Sequence, residues 1–230
     1  MSIERIKAES SEMKGVLKFV GNMTKSMIFD ENMEKVNWPK SRRRNDLFYR
    51  LMPRQKGIIF KTLAKIGNKG VLLAEAEKVD ENGVIIYYHG GGFLTGNAFV
   101  CKSYASMLAK YTGYRVYAVD YSLAPEHPFP EGYNDCVAAT EEIMKMHPDA
   151  KIVFVGESAG GNLSLGMGLR YKETGRIAAV IVHSPTVDFS GIIDRTINEN
   201  KDIVFENNNP DNNFDSMKLN TFTQEKYLSD

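Results

Sequence analysis

Apolar residues between Gly57 and Asp188 fall into two alternating textures. Short continuous blocks occur at Val84–Tyr88, Tyr114–Val119, Ile152–Val155 and Ile177–Val182. Between the blocks, apolar positions recur every three or four residues. The first such stripe is Val100, Tyr104, Met107, Leu108 and Tyr111, stopping at Gly113. The second is Tyr133, Cys136, Val137, Thr140, Ile143 and Met144, and a third run covers Leu163–Tyr171. Blocks read as strands and stripes as helices. Upstream, Ile58-Ile59-Phe60 and Val71-Leu72-Leu73 flank Gly67-Asn68-Lys69-Gly70, which predicts a hairpin-like pair of strands. Short apolar strands separated by amphipathic helices predict an α/β fold, with a mostly parallel, doubly wound sheet covered on both faces. Ligands meet such sheets at the carboxyl ends of the strands, so the residues just after each strand are the candidates for chemistry.

The flanks differ in texture. Residues 1–56 are polar and helix-leaning, with Met13, Val16, Leu17 and Val20 at helical spacing, whereas residues 57–230 hold the alternating core pattern. The run Lys40-Ser41-Arg42-Arg43-Arg44 is expected to form a solvated basic face. Beyond Asp188 the alternation fades. Glu206 to Asn213 is dense in turn formers and predicts a polar loop, and a short helix is expected at Thr223–Leu228.

Composition narrows the classes. The chain has 230 residues, 43% of them hydrophobic and 25% charged, which suits one globular core. Twenty-nine basic and 29 acidic side chains cancel, leaving no electrostatic footprint for nucleic acid or an anionic membrane. Two cysteines, Cys101 and Cys136, are too few for a disulfide framework, and no zinc-ligand spacing is present. Glu4, Lys7, Glu9, Glu12 and Lys14 interrupt any apolar leader, and no apolar run nears the roughly 18 residues of a membrane span. A reducing, cytoplasmic location is expected, with no metal and no organic cofactor.

Two motifs follow predicted strands directly. After Ile152–Val155 comes Gly156-Glu157-Ser158-Ala159-Gly160 and then a helix, a GxSxG in strand–turn–helix context. A serine on such a sharp turn needs small neighbours so that strand and helix backbones can approach. The helix that follows aims its N-terminal N–H groups at any oxyanion formed beside Ser158. After Val84–Tyr88 comes His89-Gly90-Gly91-Gly92-Phe93, whose glycines can present backbone N–H groups with no side chain in the way. A phosphate-cradling loop is the competing reading, but neither GxGxxG nor a P-loop lysine accompanies it.

A third segment, Asp120-Tyr121-Ser122-Leu123-Ala124-Pro125-Glu126, follows the strand Tyr114–Val119. With the other two it resembles the hormone-sensitive-lipase-like family of α/β-hydrolases, over about residues 57 to 190. The resemblance implies an α/β-hydrolase fold with Ser158 as nucleophile and the N–H groups of Gly91, Gly92 and Ala159 as oxyanion hole. It implies that residues 1–56 form part of a helical cap and that His89 shapes the oxyanion loop without acting as base. It also implies a serine carboxylic ester hydrolase working on short-chain acyl esters, small-molecule substrates, through an acyl-enzyme.

One part of the family pattern is absent. Its triad runs Ser, Asp, His in chain order. Of the four histidines, His89, His127, His147 and His183, only His183 follows Ser158, and Glu173 is the sole carboxylate between them. His183 lies in a post-strand loop segment, and no histidine follows Asp188, so neither completes a triad. The expectation is therefore an incomplete chain lacking the last strands, the triad Asp and the triad His. A second polypeptide or chain segment would supply them. The alternative is an inactive ligand-binding or partner-completed interaction protein. An apolar strand Ile177–Val182 is expected at an open sheet edge.

Overall fold

A computed structural model describes residues 36–187 and 225–228. Among the described residues six strands form one mixed sheet: β1 (Ile58–Ile66), β2 (Lys69–Ala76), β3 (Gly83–Tyr88), β4 (Arg115–Val119), β5 (Lys151–Glu157) and β6 (Ile177–His183). Their spatial order is β1-β2-β4-β3-β5-β6. The hairpin β1–β2 is antiparallel and joins β4 antiparallel, whereas β4, β3, β5 and β6 run parallel. Among the described residues it is accompanied by the helices α1 (Trp38–Leu51), α2 (Lys102–Thr112), α3 (Glu131–Met146) and α4 (Ala159–Tyr171).

All six residues of β3 are buried, as a strand covered on both faces requires. Alternation along the strands divides the core. Val84, Ile86, Tyr88, Ile152 and Phe154 face Cys136 and Ile143 of α3 and Leu163 and Met167 of α4. Ile85, Tyr87, Val116, Ala118 and Val155 face Ala105 and Ala109 of α2. Helices thus cover both faces. The order reverses at β3, whose neighbours are β4 on one side and β5 on the other, so the loops leaving β3 and β5 lie together.

Most expected elements are present, with two corrections. The stripe on α2 does not face the sheet as a whole: Met107 and Tyr111 are 39% and 77% exposed, and Ala105, Ser106 and Ala109 are buried instead. Ala105 and Ala109 fill the centre of that face, with Tyr104 and Leu108 half-buried against it. Gly113 ends it in the left-handed conformation at φ 76°. The basic run is not wholly solvated either. In α1 the positions Trp38, Arg42 and Asn45 share the inward face at helical spacing, and Trp38 enters the core. Asn37 caps that helix, its Oδ1 accepting from the Lys40 N–H at 3.0 Å.

Among the described residues β6 pairs with β5 alone, and Ile181 is 45% exposed. Part of the expected terminal helix is present at residues 225–227, where Tyr227 is buried and stacks on Phe93 with ring centroids 3.8 Å apart. Met13 to Val20, Asp188 and Glu206 to Asn213 lie outside the described residues.

Candidate active site

The register of β3 on β5 pairs Tyr88 with Gly156, which sets His89 to Phe93 beside Glu157 to Gly160. Ser158 caps α4 at φ 53° and ψ −119°, a conformation that a residue with a side chain adopts at a cost of about 1–3 kcal/mol. The turn holds that strain through three backbone bonds. Ser158 N–H donates to the His183 carbonyl at 2.9 Å, and the Ser158 carbonyl accepts from Thr186 N–H at 3.1 Å and Asn162 N–H at 3.2 Å. Gly160 is required by a close approach: a Cβ there would overlap the Tyr88 and His89 carbonyls. The sheet end and the helix start therefore touch through bare backbone.

The glycine loop is turned by its own bonds. Gly91 sits at φ 127°, and its carbonyl accepts from Leu94 N–H at 3.1 Å, Thr95 N–H at 3.0 Å and Thr95 Oγ1 at 3.1 Å. In a trans peptide the carbonyl and the next N–H point opposite ways. A Gly91 carbonyl bonded into its own loop therefore aims the Gly92 N–H away from it. None of the hydrogen bonds described among these residues uses the N–H of Gly91, Gly92 or Ala159. Ala159 opens α4, where the first N–H groups have no intrahelical acceptor.

Two residues that sequence reasoning missed hydrogen-bond to this loop. Glu157 Oε1 accepts from Gly90 N–H and from Tyr87 Oη, each at 2.8 Å. Burial pushes its carboxyl above the ordinary range, against those two bonds and the nearby His183. Arg42 reaches the far end: its Nε donates to the Leu94 carbonyl at 2.7 Å and its Nη2 to the Ala124 carbonyl at 2.8 Å. The same guanidinium pairs with Glu126, Nη2 to Oε2, at 2.7 Å. Glu157 fills the variable position of GxSxG, which carries no signal by itself. For Arg42 the signal was its helical spacing from Trp38.

The histidines take other roles. His89 is buried and stacks on Tyr121 with centroids 4.3 Å apart, and its Nδ1 lies 2.8 Å from the Gly90 carbonyl. Burial lowers its pKa to about 4, so it stays neutral with the proton on Nδ1. His183 Nε2 lies 2.9 Å from Tyr104 Oη on α2, and the residue meets the serine only through its backbone. His127 pairs with Glu131, and His147 lies against Tyr117. Glu173 is 87% exposed, as a surface turn demands. Among the described residues no cluster of His, Cys, Asp or Glu could hold a metal ion.

Comparison with known proteins places this geometry. A family model described as alpha/beta hydrolase fold matches residues 85–228. The chain is 32% identical over 111 residues to the versiconal hemiacetal acetate esterase of Emericella nidulans, covering 44% of this chain and 39% of that protein. It is 28% identical over 148 residues to a protein named esterase from Acinetobacter venetianus, covering 63% of this chain and 48% of that protein. The chain thus spans less than half the length of these two curated relatives. The crystal structure of a hormone-sensitive-lipase homologue, EstE7, from a metagenome library superposes with a TM-score of 0.71 at 25% identity, covering 94% of this chain and 68% of that one. The chain belongs to the α/β-hydrolase-fold family, and its likeness within that family is to the hormone-sensitive-lipase-like hydrolases.

Proposed function

We propose that this chain is the part of a serine carboxylic ester hydrolase that carries the nucleophile and the oxyanion hole, acting on short-chain acyl esters. The observation that carries the reading is the strained Ser158, set at the start of α4 beside a loop in which no described hydrogen bond uses the N–H of Gly91 or Gly92. Ser158 Oγ attacks the ester carbonyl carbon and its proton passes to a base. The N–H groups of Gly91, Gly92 and Ala159 receive the oxyanion, one such donor supplying about 3 kcal/mol in the transition state. Collapse expels the alcohol, which takes the proton, and water then releases the acid from the acyl-serine. Acyl esters of small size suit the relative named for an acetate ester.

The acid and base of this chemistry come from a second polypeptide or chain segment, and residues 1–56 belong to a helical cap segment. Cys101 and Cys136 are free and buried, which supports a reducing, cytoplasmic location. No helix among the described residues is long and apolar enough to cross a membrane. The β6 edge, which has no partner strand among the described residues, also supports a second reading, a partner-completed interaction protein without turnover. A fluorophosphonate probe separates the two, because it labels only a serine activated by its base. In the protein completed with acid and base, the adduct maps to the peptide containing Ser158, disappears in Ser158→Ala and persists in Ser184→Ala. Labelling that survives Ser158→Ala rejects the hydrolase reading.

A further inference from the structure

We propose that Arg42 is a positioning residue for the oxyanion loop, acting from α1 through two backbone carbonyls. The proposal rests on the reading of Gly91 and Gly92 as oxyanion donors. The guanidinium does more than form an ion pair. Its Nε holds the Leu94 carbonyl at 2.7 Å, and the N–H of that same peptide unit, on Thr95, donates to the Gly91 carbonyl at 3.0 Å. Its Nη2 holds the Ala124 carbonyl at 2.8 Å, while Ala124 N–H donates to the Phe93 carbonyl at 2.9 Å. The N–H of the Phe93–Leu94 peptide donates in turn to the Gly91 carbonyl at 3.1 Å.

Both routes from Arg42 therefore end on one atom, the Gly91 oxygen. Fixing that oxygen fixes the plane of the Gly91–Gly92 peptide and with it the direction of the Gly92 N–H. The loop needs such a hold because Gly91 and Gly92 have no side chains to set their own dihedrals. A rigid planar fork suits the task, since three of its nitrogens serve two carbonyls and a carboxylate at once. A lysine ammonium at the end of a flexible stem cannot span the same set. Arg42 is only partly buried, with 21% of its side chain exposed, so its charge sits partly in solvent while its bonds point inward.

The test is amide hydrogen exchange read by mass spectrometry on the 230-residue chain, with core peptides from α3 as a folding control. In Arg42→Lys the Leu94 and Thr95 amides exchange about tenfold faster than in the parent, as loss of a charged hydrogen bond implies, while the α3 core is unchanged. In Glu126→Gln they stay within about twofold of the parent, because the two carbonyl bonds do not need the carboxylate. Parent-like exchange in Arg42→Lys overturns the proposal. So does equal acceleration in Glu126→Gln, which reduces Arg42 to an ion pair tying down α1. Neither result depends on whether Ser158 reacts with the fluorophosphonate, so this proposal and the hydrolase reading fail separately.

Discussion

At Gly160 one hydrogen atom in place of a methyl decides whether the elbow can close. Because a Cβ there meets two carbonyl oxygens of the β3 end, Gly160→Ala forces strand and helix apart. The expected cost is at least about 1–3 kcal/mol, as for overpacked cores, seen as a lowered urea midpoint. His89 carries a pH-dependent contribution of known sign. Its folded pKa of about 4 lies below its ordinary value of 6.5. The neutral ring is therefore favoured in the native state, and that stability is present above pH 6.5 and lost as pH falls through 4. The full effect is on the order of 3 kcal/mol. Urea midpoints of the parent and His89→Gln should converge as pH drops from 7 to 4, and parallel curves would contradict the assignment.

At the scale of elements, β6 is the outermost strand on its side of the sheet among the described residues. Each of its residues is half-buried or exposed, unlike the uniformly buried β3. A strand edge with no partner among the described residues and an exposed isoleucine together form a template for association. Ile181→Lys is expected to reduce self-association measured by light scattering, with the thermal midpoint little changed, since exposed substitutions cost within about 0.5 kcal/mol. Helix α1 behaves differently from its composition. Its exposed basic residues, Lys40 on one side and Arg43 and Arg44 on the other, flank the inward Arg42, so a run that reads as one solvated patch is divided by the helical period.

For the whole molecule, the elbow and glycine loop are assembled among the described residues, and the proposed acid and base are not. Loss of the base in a serine hydrolase costs on the order of a millionfold in turnover. The 230-residue chain by itself is therefore expected to hydrolyse a p-nitrophenyl ester no faster than the residual that binding and the oxyanion hole sustain, roughly 10³–10⁴ over water. Turnover at an ordinary enzyme rate that vanishes in Ser158→Ala would show that the chain holds its own base.

What the sequence determined by itself was local. Strands and helices were legible from their apolar periods, and Ser158 with the loop Gly90-Gly91-Gly92 from motifs a few residues long, because tight turns demand small residues within the same stretch. The side of the sheet that each helix covers, and the small buried face of α2, were decided only in the tertiary structure. So were the two anchors of the loop. Arg42 meets Leu94 across 52 residues and Glu157 meets Gly90 across 67, separations at which no short-range period or spacing couples the partners. Folding brings those groups into hydrogen-bonding reach by stacking α1 and the β5 end against the β3 loop, and that arrangement is set by the packing of the whole core.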